Sequence, residues 1–352
     1  MEAVDIKNNR PVAIWLYIGV GMLVIQVLLG GITRLTGSGL SITEWQPLLG
    51  AFPPMNEAAW QKAFDGYKQI AQYKYINNHF TVSDFKFIYF WEWLHRDWAR
   101  LIGFVFIIPF IYFIVKKKIN QSMVNPLVVL FILGGLQGAI GWIMVKSGLN
   151  DENLYVSHIR LAVHFISALV LLCYTFWFAL KISVPDREVL PVVSLKRLNV
   201  WLLVIVTIQL VFGAFMAGLH AALNANTWPD INGTWVPAGM FSQGGFFTDI
   251  AHNPITIQFI HRGLAYVITV LIALWWWKAG KVPASSLLHG TRYLPLVLVL
   301  LQVLLGVLTL LSSQTKIPVS YGILHQCVGM LLLLSLVWTL YLSRGKAGIR
   351  NS

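Results

Sequence analysis

Eight apolar runs of about 20 residues recur along this 352-residue chain, and they constrain its fold more than any other feature. A run of that length is long enough to cross a bilayer as a helix. Inside a bilayer each backbone polar group must be paired within its own segment, so the runs are predicted to be helices. The sequence therefore predicts an all-α polytopic membrane protein with transmembrane helices at roughly 12–32, 91–115, 124–145, 159–181, 197–219, 256–278, 291–312 and 321–343.

Composition and charge agree with a membrane protein. The chain is 57% hydrophobic and 11% charged, whereas soluble domains are about 25% charged. A net charge of +12 would suggest nucleic acid as the partner of a soluble protein, but here the basic residues cluster in alternate loops. By the positive-inside rule both termini are predicted to be cytoplasmic, with the two long loops, about 33–90 and 220–255, on the outer side. We therefore expect the lipid bilayer, and no nucleic acid, as a partner.

The N-terminus and the cysteines bear on location. No cleavable signal or transit peptide is evident, so we expect a bacterial inner (plasma) membrane rather than mitochondrial import. Cys173 and Cys327 both fall within predicted helices. A disulfide framework is therefore not expected, and both thiols are interpreted as small buried hydrophobic side chains.

An internal repeat divides the chain into two halves. The pattern Gln-x-x-x-Gly occurs in the first, third, fifth and seventh predicted helices, beginning at Gln26, Gln137, Gln209 and Gln302. Its glutamine and glycine share one helix face. Helix packing explains such a pair, because glycine permits close approach and glutamine bonds across the contact. The repeat predicts two pseudo-symmetric four-helix bundles, 1–181 and 182–352, with these residues lining the bundles rather than acting as ligands.

The even-numbered helices each carry a histidine: His95, His164, His261 and His325. Intramembrane histidines are rare and usually functional. Each stands 17 to 21 residues from the basic residue at the inner end of its helix, so all four are predicted roughly 25–32 Å from the inner surface, near the outer face. A four-helix bundle can hold a planar macrocycle between two facing side chains, and imidazole is a standard axial ligand of heme iron. We therefore predict one heme site in each half.

The four histidines have two other interpretations. Four separate hydrogen-bonded histidines would be a purely structural arrangement, and zinc is disfavoured because no close cluster of Cys, His and carboxylate residues appears. The remaining histidines fall in loops or, for His158, on a different helix face from His164. We interpret all five as non-ligands: His79, His158, His220, His252 and His289.

Arginines and tryptophans accompany the predicted sites. Arg96 and Arg262 directly follow two of the histidines, and Arg34 and Arg100 lie nearby. Arginine pairs with carboxylates such as heme propionates, although an interfacial arginine can also extend its charge towards water. Equivalent tryptophans, Trp45 and Trp228, follow the first and fifth helices. They suit either lids over two cofactor sites or an interfacial aromatic belt.

The two halves differ at one position beside the histidines. Glu92 precedes His95 by three residues and so shares its helix face, whereas Gln258 holds the matching place before His261. General acid–base chemistry needs an ionisable group near the reacting atom. The difference predicts a catalytic site in the N-terminal half and an electron-transfer site in the C-terminal half. A carboxylate that merely lies at the membrane interface is the structural alternative.

Several motifs together resemble those of heme A synthases. They are Gly31-Ile-Thr-Arg-Leu-Thr-Gly-Ser-Gly39-Leu-Ser41, Glu92-Trp-Leu-His-Arg96, Tyr155-Val-Ser-His-Ile-Arg-Leu-Ala-Val-His164, Asn226-Thr-Trp-Pro229 and Gln258-Phe-Ile-His-Arg262. The resemblance runs from the first to the last helix. The long first outer loop resembles the alphaproteobacterial and mitochondrial branch. The cysteine pair that the other branch carries in this loop is missing from the sequence.

The resemblance implies a function and a division of labour. Heme A synthases oxidise the C8 methyl of heme O to a formyl group, giving heme A for cytochrome oxidase. It implies heme b on His261 and His325 and the substrate heme on His95 and His164, with Glu92 as an essential carboxylate. Heme O synthase, an unidentified electron donor and cytochrome oxidase assembly factors are the implied partners. The alternatives are a diheme b-type electron carrier linked to quinol and a heme transporter.

Overall fold

The computed structural model describes residues 6–44 and 49–345, which over these ranges form helices joined by loops. Eight of the helices in the described ranges are long and apolar enough to cross a membrane, so the predicted all-α polytopic class is confirmed. We label them α1 to α8 in chain order: Ile6–Leu35, Val82–Val115, Gln121–Lys146, His158–Ser183, Val193–Gly218, Pro254–Ala279, Tyr293–Leu311 and Val319–Leu342.

Helix α2 begins earlier than the hydropathy of the sequence indicates. It starts at Val82, while the predicted apolar run starts at 91. Thr81 and Asp84 form a reciprocal capping box in which the Thr81 backbone N–H donates to the Asp84 carboxylate at 2.8 Å. The added turns bury Phe85 and Ile88 against the preceding outer loop. Hydropathy missed this extension because the polar residues Ser83, Asp84 and Lys86 interrupt it.

The outer loop before α2 folds into a cap over the N-terminal half. We define the cap as helices Glu57–Tyr67 and Ala71–Tyr75 together with the first turns of α2. Its centre is aromatic, with the rings of Phe64 and Phe85 5.2 Å apart and Tyr67 fully buried. Burial raises the pKa of Tyr67 to about 12, and its hydroxyl donates to Gln72 at 3.0 Å. The cap is therefore a packed unit with its own core.

The loop between α5 and α6 is built differently. It carries one short helix, Phe246–His252, among its described elements longer than a single turn. Phe247 and Trp235 are 81% and 71% exposed, so these aromatic rings form no core. The outer surface of the C-terminal half is therefore covered by a thinner and more open structure than the cap.

Equivalent helices make similar contacts in the two halves, although α6 also packs against α7. Helix α1 packs against α2 and α4, and α3 packs against α4; in the second half α5 packs against α6 and α8, and α7 packs against α8. The halves meet where α1 contacts α8, where α4 contacts α5, and where α4 contacts α8. This arrangement is consistent with the predicted pseudo-symmetry. One apolar core continues through both halves, and the boundary near residue 181 stays a prediction.

Each of the two outer junctions between the halves contains a glycine at a point of close approach. A Cβ at Gly31 of α1 would lie 2.1 Å from Gln326 Oε1 of α8. At the other junction, a Cβ at Gly218 of α5 would lie 2.4 Å from His158 Cβ of α4. Gln326 also donates to the Val27 carbonyl at 3.0 Å. The two halves therefore fit together through small residues, as is usual for helices packed within a membrane.

Candidate functional site

The four predicted histidines all face the Gln-x-x-x-Gly motif of the helix before them. In the N-terminal half, Gln26 Nε2 lies 3.3 Å from His95 Nδ1. The corresponding atom of Gln137 lies 3.1 Å from His164 Nδ1. In the C-terminal half, Gln209 Nε2 lies 3.4 Å from His261 Nε2, and Gln302 Nε2 lies 3.2 Å from His325 Nε2. The repeat and the histidines are thus parts of a single unit that occurs four times.

The glycine of each repeat makes room for the imidazole. A Cβ there would lie closer to the histidine Cε1 than ordinary van der Waals contact, at 3.1 Å for Gly30, 2.8 Å for Gly141, 3.3 Å for Gly213 and 3.0 Å for Gly306. A larger side chain would displace the ring. The prediction that the repeat serves helix packing did not include this role. The sequence signal for it is that each of the four histidines has one glutamine–glycine pair on the helix before it.

The histidines come in pairs within each half. His95 and His164 lie within electrostatic range of one another, and so do His261 and His325. All four side chains are half-buried. Within residues 6–44 and 49–345, no group of three or more His, Cys, Asp or Glu side chains is placed to hold a metal ion. Two imidazoles per half, rather than a zinc-like cluster, are what the fold brings together.

Glu92 lies in a pocket made of hydrogen-bond donors. Its side chain is 2% exposed, and Oε2 accepts from the Ser41 hydroxyl at 2.7 Å and from the Ile42 backbone N–H at 2.8 Å. The other oxygen, Oε1, pairs with Arg96. Arg96 also donates to the Ile42 carbonyl at 3.2 Å. Both oxygens of the buried Glu92 side chain therefore face hydrogen-bond donors, three in all.

Gln258 occupies the matching place on α6, where the loop presents a hydrogen-bond acceptor instead of donors. It is fully buried, and its Nε2 donates to the Ala221 carbonyl at 3.0 Å. Its Oε1 accepts from Arg262 at 2.6 Å, as the Glu92 carboxylate does from Arg96. Arg262 further donates to the Asp230 carbonyl at 2.7 Å. Both halves thus have an arginine bound to this side chain. The loop offers donors to Glu92 in the N-terminal half and an acceptor to Gln258 in the C-terminal half.

Arg34 differs from the other two candidate arginines. It donates to the Ala217 carbonyl at the end of α5 and lies near Tyr155 and His220. It therefore bridges the outer ends of the two halves, a position that sequence spacing does not indicate. Trp228 is 43% exposed and directly precedes Pro229, two residues before the carbonyl of Asp230. Trp45 lies outside the described residues.

The remaining histidines have partners of their own. His158 Nε2 lies 2.9 Å from the Ala251 carbonyl, and its ring is 4.9 Å from that of His252. The His220 ring is 4.6 Å from the Tyr155 ring. Burial, together with the charge of Arg34, lowers the pKa of His220 to about 4. His289 Nδ1 lies 3.2 Å from the Val282 carbonyl. These contacts involve no atom of the four paired histidines.

Unpartnered polar atoms test whether the paired histidines fit heme. Buried side-chain atoms without a hydrogen-bond partner include His261 Nδ1 and the Oε1 atoms of Gln26, Gln209 and Gln302. Leaving such atoms unpaired is costly, and unpaired groups often mark functional positions. Imidazole nitrogens are suitable ligands for heme iron, and the neighbouring glutamine oxygens are suitable acceptors for the other ring N–H. The residues present fit a heme held between each histidine pair.

The fold and the site define a class: a multi-pass helical membrane protein with one histidine pair in each of two related halves. Residues 13–337 match the family model COX15-CtaA, described as cytochrome oxidase assembly protein. The chain belongs to this family. It is 40% identical to the heme A synthase of Flavobacterium johnsoniae over 95% of this chain and 98% of that protein. It is 41% identical to the heme A synthase of Rhodospirillum centenum over 95% of this chain and 89% of that protein.

Proposed function

We propose that this protein is a heme A synthase that oxidises the C8 methyl of heme O to a formyl group, giving heme A for cytochrome oxidase. Membership of the cytochrome oxidase assembly family and about 40% identity to heme A synthases support this function. The structural observation that carries it is the contrast between Glu92 and Gln258. One histidine pair has a buried carboxylate beside it, and the other has a neutral amide.

We assign the substrate to the N-terminal half, residues 1–181. His95 and His164 are the ligands proposed for the iron of heme O or heme A, and Glu92 is the proposed catalytic carboxylate. We assign heme b to the C-terminal half, residues 182–352, on His261 and His325. When bound, that heme supplies one-electron chemistry. Arg34, Arg96, Arg262, Trp45 and Trp228 remain candidates for contacts to the two hemes.

The contacts of Glu92 favour one of two roles for its side chain. Oε2 already accepts from Ser41 and Ile42, and Oε1 is paired with Arg96. A carboxylate held in this way is fixed in position as an anion one helical turn from His95. Fixed charges in a site of low dielectric stabilise the charge that develops in a transition state. We therefore propose that Glu92 stabilises positive charge on the substrate during methyl oxidation rather than shuttling protons.

The position in the membrane follows from the charge distribution. Both termini are proposed to face the cytoplasm of a bacterial inner membrane, with the heme sites near the outer face. Because heme O carries a long apolar tail, we propose its delivery through the bilayer from heme O synthase. An electron donor and cytochrome oxidase assembly factors complete the proposed partners.

Glu92→Gln tests the proposal. The protein is expressed in cells that supply heme O, purified, and its hemes are identified by liquid chromatography and mass spectrometry. The wild type should contain heme b with heme O or heme A, and Glu92→Gln should keep heme b but lose heme A. The amide places two N–H groups against Ser41 and Ile42, so the charge and one favourable contact are lost together.

Asp97→Asn is the matched control. It makes the same chemical change on α2, at a side chain that pairs with Arg100 at 3.4 Å, away from Ser41 and Ile42. It should retain heme A. Heme A formation by Glu92→Gln at the wild-type rate would disprove the role of the carboxylate. Heme b alone in the wild type, at two per chain, would indicate a diheme electron carrier. Release of unchanged heme O would indicate a transporter.

A further inference from the structure

The four helices around each histidine pair form a closed ring in one half and an open ring in the other. In the C-terminal half, α5 packs against α6 and α8, α7 packs against α8, and α6 packs against α7, which completes the ring. In the N-terminal half, α1 packs against α2 and α4, and α3 packs against α4. Within the described residues, α2 and α3 make no comparable contact with each other. The ring that carries His95 and His164 is therefore open between α2 and α3.

Large side chains bridge this opening at the end farther from the histidines. The rings of Phe106 on α2 and Phe131 on α3 are stacked, with their centroids 6.3 Å apart. Gly103 and Ala99 follow Phe106 towards the histidines on the same face of α2, one and two turns away. Gly138 lies two turns from Phe131 on the same face of α3, also towards the histidines. Beside the histidine pair, the positions that face the opening are therefore small.

The C-terminal half has larger side chains at matching positions. The Gln-x-x-x-Gly repeat aligns Gly134 of α3 with Val299 of α7, and Gly138 with Val303. A Cβ at either glycine would meet no atom of the described residues within 4 Å. Val299, in contrast, is 2% exposed and belongs to the apolar core. Valines that help to fill the C-terminal half are thus replaced by glycines next to the opening in the N-terminal half.

The opening lies beside the histidine pair that is proposed to bind the substrate. Helices in a membrane associate largely through van der Waals packing, and the N-terminal half gives up such packing between α2 and α3. A substrate has to enter its site and a product has to leave it, whereas a resident cofactor stays. Heme O has an apolar tail, which is at home in the hydrocarbon of the bilayer. An opening towards lipid therefore suits the exchange of such a heme.

We propose that the opening between α2 and α3 is a lateral portal through which a heme with an apolar tail passes between the bilayer and the His95–His164 pair. Gly103 and Gly138 keep the portal wide, because they place no side chain in it. The closed ring of the C-terminal half retains its heme. This inference rests on the proposed function for the identity of the heme that passes, but not for the existence of the passage.

Gly138→Leu tests the portal by placing a side chain in it. The open space at this position should allow the variant to fold. Ala139→Leu is the matched control, since it adds apolar volume at the next residue, which is exposed and lies about 100° around the helix. Both are made in the full chain with His261→Ala and His325→Ala, so that only the N-terminal pair binds heme.

The rates of heme entry and loss are measured separately. Each protein is placed in lipid nanodiscs, hemin is added, and its binding is followed by absorption in a stopped-flow instrument. Loss of hemin is followed by its transfer to apomyoglobin. The ratio of the two rates gives the affinity, and the absorption spectrum reports the iron ligands.

A narrowed portal should change both rates together. Gly138→Leu should slow hemin binding and hemin loss by about tenfold each, because the leucine must be displaced as the heme passes. The affinity and the spectrum of the bound heme should stay the same, and Ala139→Leu should behave as its parent. In the reciprocal protein with His95→Ala and His164→Ala, Gly138→Leu should leave the hemin kinetics of the C-terminal half unchanged.

Three results would overturn the proposal. Unchanged rates in Gly138→Leu would show that heme does not pass between α2 and α3. A changed affinity at an unchanged binding rate would show that Gly138 shapes the site instead of the passage. A changed oligomeric state by light scattering, with unchanged hemin rates, would show that the opening is a contact between copies of this chain.

The outcome is separable from that of the proposed function. Hemin exchange does not require methyl oxidation, so the portal can fail while the wild type still makes heme A, or hold when it does not. If the single-site proteins do not fold, Gly138→Leu and Ala139→Leu are made in the full wild-type chain. Uptake of heme O is then followed by chromatography, with heme b as the internal reference. Slower uptake in Gly138→Leu alone is expected, and uptake at the wild-type rate would contradict the portal.

Discussion

The N-terminal and C-terminal halves share one scaffold but differ in what surrounds it. Each half holds two imidazoles against two glycines, with an arginine on the following residue of one helix in each pair. Helices α2 and α3 are peripheral, with 6% of their most apolar stretches buried, against 22% for α6 and α7. Helices α2 and α3 thus expose more of their sides than α6 and α7 do, and the N-terminal half is covered by the aromatic cap.

The polar groups beside the histidines differ between the halves in a way that agrees with the two proposed roles. Ser41 and the Ile42 N–H point donors at a carboxylate, whereas the Ala221 carbonyl offers an acceptor to the Gln258 amide. Each loop matches the side chain it faces and would mismatch the other. The difference between the halves therefore lies in the loops after α1 and α5 as much as in Glu92 and Gln258 themselves.

The largest effect is expected when Gln258 is replaced by the glutamate of the other half while its own loop is unchanged. Gln258→Glu would bury a carboxylate whose oxygen faces the Ala221 carbonyl, with Arg262 as the remaining partner. Loss of the bond and repulsion at a fully buried position should cost about 3 kcal/mol. We expect a lower Tm, reduced heme b content and no methyl oxidation in the C-terminal half. Thermal unfolding and pigment analysis measure these effects.

The opposite result would be as informative. If Gln258→Glu kept the wild-type Tm and full heme b content, the acceptor at Ala221 would have no preference between amide and carboxylate. The complementarity of the two loops would then be incidental. Gln258→Asn, which keeps an amide but shortens the side chain, separates the effect of charge from that of the altered reach.

Hydropathy and residue spacing predicted the helices and the difference between Glu92 and Gln258. They did not predict the hydrogen bonds that these two side chains make. Hydropathy located all eight helices, and the spacing before His95 and His261 identified Glu92 and Gln258. Sequence did not show that Ser41 and Ile42 face Glu92, because those contacts join residues 51 and 50 positions apart through an irregular loop. The contact of Arg34 with Ala217 spans 183 positions. Such contacts depend on how helices pack, which periodicity does not encode.

Glycine substitutions test whether the two halves hold their histidines equally tightly. A Cβ at Gly141 would lie 2.8 Å from His164 Cε1, too close without a shift, whereas a Cβ at Gly213 would lie 3.3 Å from His261 Cε1. Gly141→Ala should cost about 2 kcal/mol of stability by overpacking, and Gly213→Ala should cost clearly less. We expect loss of heme O from the first variant and nearly full heme b in the second, measured by pigment content and Tm. Equal losses would mean that the rings move aside freely.

The smallest expected effect concerns the junction between the halves. His220, in the loop after α5, lies near Arg34 of α1, and its ring lies 4.6 Å from the ring of Tyr155 before α4. Burial and the charge of Arg34 lower its pKa to about 4 from the ordinary 6.5. As the pH falls below 6.5, His220 becomes protonated in the unfolded chain. In the folded protein it stays neutral until the pH reaches about 4. The contribution of His220 to stability is therefore present above pH 6.5 and lost as the pH falls towards 4.

The stability lost when His220 is protonated can be measured against a variant that cannot titrate at this position. After allowance for partial exposure of the ring, we expect about 1 kcal/mol by pH 5, or a fall in Tm of about 2 °C. His220→Gln cannot titrate, so its Tm should change less between pH 7 and pH 5 while other histidines contribute equally to both proteins. Identical pH profiles would show that folding does not lower the pKa of His220. A smaller slope in His220→Gln would show that burial at the junction, together with the charge of Arg34, lowers the pKa of His220.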